Sequence, residues 1–196
     1  MPGTTWSAPA STVLNSASLV TSSFVTATPT DISPGQCPVP AGALNVGTRV
    51  RITAAGSYIA TTTASSITWS IYMNAPGTAF ATTPAILSIT PAIPCVAISG
   101  ITWIVQYWGH MAAISTVGGT AASIVGHGTC FTGLTGLTNA GQVTPMPVTV
   151  AGMTVAQAAT GMVTFNSQNV YIVATITTNT GLTSITTDEL TCELLG

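Results

Sequence analysis

Beside four tyrosines and many serine and threonine hydroxyls, two histidines, four cysteines, two arginines and four carboxylates are what this 196-residue chain offers for acid–base, nucleophilic or metal chemistry. A zinc centre wants thiolates and imidazoles at short, regular spacings. Cys37, Cys95, Cys130 and Cys192 lie far apart, and neither His110 nor His127 belongs to a ligand-spacing motif, so no metal is expected. His110 reads as a residue capping the end of a strand, and His127, between Gly126 and Gly128, as a loop side chain. The even cysteine count admits two disulfides in three pairings, and buried free thiols fit the same spacing equally well. Glycoside hydrolysis requires two carboxyl groups across a cleft. Asp31 is remote in sequence from Asp188, Glu189 and Glu193, and all four acids read as solvated or loop positions. Serine is frequent, yet there is no GxSxG elbow and no phosphate-binding GKS or GKT. The Gly-Leu-Thr-Gly-Leu-Thr-Asn run at 133–139 reads as a turn with no activated nucleophile. No catalytic, cofactor-binding or metal-binding residue is expected, and the chain does not read as an enzyme.

Recognition is the chemistry that remains. Arg49 and Arg51 are the entire basic inventory, and they alternate with Val50 and Ile52, which places both guanidinium groups on one face of a strand. Planar guanidinium groups suit a carboxylate or carbonyl across an interface; a solvated face that blocks edge aggregation is the simpler use of the same pair. Tyr72, Trp108 and Tyr171 are the aromatic candidates. Aromatic rings bind sugars or anchor protein interfaces, and their periodic placement also fits core packing. These five residues form the candidate interface set.

The elements that must position them belong to a chain with 3% charged and 46% hydrophobic residues and a formal net charge of −2. A small free domain carries charge on about a quarter of its surface, so hydroxyls, amides and backbone must supply much of the polarity here. Disorder is excluded by the hydrophobic content. No apolar run reaches the roughly 20 residues of a membrane-spanning helix, and the aromatic residues do not form the two girdles of an outer-membrane barrel. Without a basic tract there is no electrostatic footprint for nucleic acid. The first residues lack the positive flank and apolar core of a signal peptide, so release rather than classical secretion is the expected way out of a cell.

Threonine and β-branched residues favour strands, and frequent Gly and Pro divide them. Ser66–Asn74 places Ile67, Trp69, Ile71 and Met73 on one face, opposite Thr68, Ser70 and Tyr72. In 101–111, Ile101, Trp103, Val105 and Tyr107 share one phase, and Thr102, Ile104, Gln106, Trp108 and His110 the other. Bulk on both faces predicts a central strand, either with one face packed in the core and the other covered by the arm or a partner, or two-sided inside the sandwich. Further apolar segments lie at 121–125 and 143–150. Alternation resumes at 170–177 and, after a polar linker at 179–184, at 190–195. Roughly eight strands predict an all-β, antiparallel β-sandwich, with one short helical turn at 154–160. Residues 1–45 differ: Pro2, Pro9, Pro29, Pro34, Pro38 and Pro40 break them into short extended pieces. They read as an N-terminal arm that contributes to assembly by adding a strand to the domain at 46–196 or to a neighbouring subunit.

In the run Asn45-Val46-Gly47-Thr48-Arg49-Val50-Arg51-Ile52-Thr53-Ala54-Ala55-Gly56, in the Trp-containing strand 101–111 and in the strand 169–177 that precedes a polar linker and the terminal strand 190–195, the chain resembles jelly-roll structural proteins of tailed bacteriophages, especially capsid decoration proteins. The resemblance covers roughly residues 42–196 and implies an eight-stranded jelly roll. It further implies a homotrimer on the outer capsid surface of the virion, assembled in the host cytoplasm. The implied partners are the major capsid protein and neighbouring copies, with no nucleic acid, membrane or cofactor. The alternative it carries is a tail-fibre or receptor-binding domain that recognises a host cell-surface glycan.

Overall fold

Alternation decides which side chains meet in this molecule. The computed structural model of the chain describes residues 11–14, 19–21, 29–33, 37–60, 66–74, 85–90, 92–94, 101–113, 123–133, 148–153, 168–176 and 182–195. Among them are thirteen strands: β1 (Ser11–Leu14), β2 (Leu19–Thr21), β3 (Thr30–Asp31), β4 (Cys37–Val39), β5 (Arg49–Ala60), β6 (Ser66–Asn74), β7 (Ala85–Ile89), β8 (Ile93–Pro94), β9 (Ile101–Ala113), β10 (Ser123–Gly133), β11 (Val148–Met153), β12 (Gln168–Ile176) and β13 (Leu182–Leu195). The expected helical turn at 154–160 lies outside the described residues, as does 134–139 of the expected Gly-rich turn.

Two open antiparallel sheets result. The seven-stranded sheet runs β1-β13-β5-β9-β10-β11, with β2 also on β13; the six-stranded sheet runs β3-β12-β6-β7, with β4 on β12 and β8 on β6. There are more strands than the rough eight expected because the Pro-punctuated start is itself strand-forming. β1 and β2 pair with the outer edge of β13, and β3 and β4 with the outer edge of β12. The arm therefore covers one edge of each sheet of its own chain. Pro38 sits in the short edge strand β4, where a missing N–H leaves no central ladder bond unmade. The expected polar linker ends earlier than its composition implies, since β13 already begins at Leu182.

The core lies between the sheets and is as the alternation predicts. Val50, Ile52, Ala54 and Tyr58 of β5 are buried, as are Ile67, Trp69, Ile71 and Met73 of β6 and Ile101, Trp103, Val105 and Tyr107 of β9. Trp69 from one sheet meets Trp103 from the other at a ring-centroid distance of 5.9 Å, and Tyr58 flanks Trp69 at 6.3 Å. Burying such rings contributes more than any aliphatic side chain. The cost is polar: Nε1 of Trp69, Nε1 of Trp103 and the Tyr107 hydroxyl find no hydrogen-bond partner among the described residues, and burial pushes the Tyr107 phenol well above its usual range. The outward phase of β9 corrects the two-sided expectation. Thr102, Ile104 and His110 are exposed and Gln106 and Trp108 half-buried, so β9 has one core face and one open face.

Hydroxyls extend the backbone ladders where strands end. The Ile172 N–H donates to Ser33 Oγ at 2.6 Å, and Ser33 Oγ donates to the Ile172 carbonyl at 3.3 Å. Trp69 N–H donates to Thr90 Oγ1 at 2.9 Å while Thr90 N–H donates to the Trp69 carbonyl at 2.9 Å. In both places a short side chain satisfies buried backbone that a longer residue would leave unpaired. Asp31 is not the solvated acid expected: it is half-buried on β3, and its Oδ1 accepts the Ser33 N–H at 2.8 Å. Desolvation raises its pKa, against the lowering effect of the Ser33 bonds.

Cys37 of β4 and Cys192 of β13 form a disulfide, with Cα atoms 6.3 Å apart. It ties the edge strand of the smaller sheet to the larger sheet across the seam. Cys130 is a buried free thiol whose pKa is pushed up to about 12 by desolvation. Both cysteine states that the spacing admitted thus occur, and Cys95 lies outside the described residues.

Candidate functional site

Four neighbouring strands of the larger sheet, in the order β13-β5-β9-β10, turn their outward phase to one common face, and strand register sets what shares it. Arg51 pairs with Glu193 on one side and Trp108 on the other, and Trp108 pairs with His127, giving a transverse row Glu193-Arg51-Trp108-His127. The next row is Leu195-Arg49-His110-Val125, and on the other side lie Thr191-Thr53-Gln106-Thr129 and Glu189-Ala55-Ile104-Phe131. Both arginines, both histidines and two of the four acids are therefore gathered on one sheet face by period-2 geometry alone.

Within the central row, Arg51 Nε donates to Glu193 Oε2 in an ion pair. Hydrogen bonding to Arg51 lowers the Glu193 pKa, and the same bond raises that of Arg51. The Trp108 and His127 rings stack with centroids 5.5 Å apart and planes at 22°. Arg49 has no ion-pair partner among the described residues.

Trp108 separates two shallow hollows. The larger, about 580 Å³, is walled by Arg49, Trp108, His110, Val125 and His127 and floored by Gly47, Gly109 and Gly126. The smaller, about 250 Å³, is bounded by Arg51, Thr53, Gln106, Trp108, Glu189, Thr191 and Glu193. Gly47 reaches the first hollow because the turn at 45–48 docks on β9. Thr48 N–H donates to the Asn45 carbonyl at 2.8 Å, Gly47 N–H to the Met111 carbonyl at 2.9 Å, and Met111 N–H to the Thr48 carbonyl at 2.9 Å. Gly47 holds φ at 88°, a left-handed value that glycine adopts without a Cβ penalty.

The face is also apolar. Ile59, Ile104 and Val125, three of the four exposed large hydrophobic residues among those described, stand on it at 39%, 38% and 50% exposure. Exposed aliphatics on the same face as a half-buried tryptophan, with arginine and no lysine, match the make-up of protein contact patches. Among the described residues of the face no cysteine is exposed beside a base, since Cys130 points to the core, and no group of three or more metal-ligating side chains occurs among the described residues.

The candidate interface residues separate accordingly. Arg49, Arg51 and Trp108 come together on the open face, with Arg51 already engaged by Glu193. Tyr72 and Tyr171 are buried and pair with each other on the smaller sheet. They therefore do not provide the exposed aromatic surface considered for them. His110 and His127 lie inside β9 and β10 rather than at a strand end or in a loop. The Gly-His-Gly triplet imitates a turn, but Gly126 is required where a Cβ would strike the Trp108 carbonyl, Gly109 and the Tyr107 hydroxyl. Sequence reasoning missed Glu193, Glu189 and Gln106 as members of the face. Their shared alternation with the arginines carried that signal, but only the order of the strands places them side by side.

Comparison with protein-family models finds no match, and comparison with curated proteins finds none either.

Proposed function

We propose that the chain is a non-enzymatic structural protein of a bacteriophage virion, a decoration protein that coats the head by docking on the major capsid protein lattice and on neighbouring copies. The observation that carries this reading is the outward face of the larger sheet, where Trp108, three exposed aliphatics and the chain's scarce charges share one surface. In a protein with six formal charges, such a concentration is a contact surface rather than a means of solubility. The stapled edges support the same reading. Covering the free edges of β12 and β13 with the chain's own start directs association to a face instead of to open-ended strand pairing.

The proposed topology is a jelly roll. What supports it is the nesting of β13 on β5 in one sheet and β12 on β6 in the other. The consecutive run β9-β10-β11 is added to that nested core as a meander.

The test is mass spectrometry and side-chain-resolution reconstruction of gradient-purified particles from the producing host. Near-stoichiometric copies on the head support the decoration reading, and particles lacking the chain overturn it. Density only at a distal tail tip would favour the glycan-recognition alternative, for which the Trp108 and Arg49 hollow is the candidate subsite.

A further inference from the structure

We infer that the outward face of the larger sheet pairs with the same face of a second copy of this chain, about a twofold axis lying in the contact plane near Trp108. This rests on the reading that the face is a docking surface, and it names the occupant. The argument begins with charge. The hollow on one side of Trp108 holds Arg49, His110 and His127 with no acid; the one on the other side holds Glu189 and Glu193 against the single cation Arg51. Two arginines against Glu189 and Glu193, with the exposed Asp188 beside Glu189 at the β13 bulge, leave the face with a small negative balance, polarised from end to end. A face so nearly balanced repels its own copy little, and laid antiparallel it sets each basic hollow on an acidic one.

Placement of both hollows on one face fixes the symmetry. A patch that complements itself produces an isologous contact, which closes as a pair; the threefold ring implied by the resemblance would need two different surfaces. Size agrees with this. Nine residues of strand centred on Trp108, 104–112 of β9, at about 3.3 Å each and four strands at about 4.8 Å spacing give a footprint of roughly 600 Å² before side-chain relief, close to the ~800 Å² per partner of standard interfaces. Ile104 and Val125 supply the apolar component, and Trp108 the central aromatic anchor that such contacts favour.

Sedimentation equilibrium of the full chain, with Arg49→Glu, Glu189→Arg and the double variant, tests the pairing. The wild type should have twice the 19.7 kDa mass of the chain. Each single reversal sets like charges together twice per pair and should weaken self-association tenfold or more, and the double variant should return within threefold of wild type. A wild-type monomer or trimer, single reversals without effect, or a double variant that stays dissociated would each overturn the inference. Melting temperatures are read in parallel, and if either reversal lowers them, Val125→Asp takes its place: dimer loss with an unchanged melt supports the pairing, and a persistent dimer defeats it. A monomeric chain that still co-purifies with virions would remove the twofold contact and leave the proposed function standing.

Discussion

Trp108 of β9 and His127 of β10 are direct cross-strand partners whose rings stack at 5.5 Å, on the opposite side of the sheet from Trp103, which is fully buried on the same strand. One strand thus carries one tryptophan for folding and another for the surface.

That division is measurable. Trp103→Ala removes a ring packed on Trp69 and should cost about 3–5 kcal/mol. Trp108→Ala removes a half-buried ring whose stacking neighbour stays hydrated, and should cost about 1 kcal/mol or less. Paired urea melts check the contrast. Equal losses would mean that the outward face contributes to folding rather than being held ready for contact.

The Cys37–Cys192 disulfide closes a loop across a sequence separation of 155 residues. Cross-linking a loop of that size restricts the unfolded chain, and its removal costs about 2–5 kcal/mol. Cys192→Ser should lower stability in that range, and dithiothreitol should lower the wild type toward the variant without affecting the variant itself. A wild type indifferent to reductant would contradict the staple. Quantifying free thiols before and after reduction confirms that the bond was opened.

Two acids respond to pH with opposite sign. Arg51 holds Glu193 below its ordinary value of 4.5, so the unfolded state binds more protons in that window. The contribution of Glu193 is present above about 4.5 and is lost as the pH falls through the lower folded value. Burial holds Asp31 above its ordinary 3.8, so its ionisation disfavours the fold as the pH rises through that value and beyond. At pH 7, Glu193→Gln should therefore lower the melting temperature slightly and Asp31→Asn should raise it. Both differences from wild type should shrink as the pH approaches 3. Melts of the three proteins from pH 3 to 7 check the signs, and identical signs at pH 7 would refute the assignment.

Much of this fold is legible in the sequence where alternation is strict. Residues 49–54, 66–74 and 101–107 declare their core faces unambiguously, because period-2 geometry leaves a half-buried strand only one solution. The face that gathers the charges is not legible in the same way. Glu193 is 142 positions from Arg51, and no local pattern states that β13 and β9 flank β5. Tyr72 and Tyr171 took the buried alternative that their periodic placement allowed: Tyr72 alternates with core residues, and outward from the core is not the same as exposed where the second face of the smaller sheet is also buried, as at Ser70, Tyr72 and Tyr171. Proline in the arm marked short extended pieces that add strands, and a residue that excludes central strands is compatible with the edges they occupy.

Glycine 126 was a false signal, and it yields a sharp prediction. Its neighbours His127 and Gly128 make the triplet resemble a turn, yet it sits in mid-strand opposite Gly109. A Cβ there would collide with the Trp108 carbonyl, Gly109 Cα and the Tyr107 hydroxyl. Two of these obstacles are backbone and cannot swing aside, so Gly126→Ala must push β9 and β10 apart and should cost about 3 kcal/mol, the upper part of the range for overpacked sites. Gly47→Ala meets no atom within 4 Å but must hold φ at 88°, a conformational penalty of roughly 1–2 kcal/mol. Tyr107→Phe combined with Gly126→Ala separates the obstacles. Removing the hydroxyl relieves one contact and the unpartnered polar atom at once, so the double variant should recover part of the loss and no more. Full recovery would mean that the Tyr107 hydroxyl, not the strand spacing, demands glycine at this position.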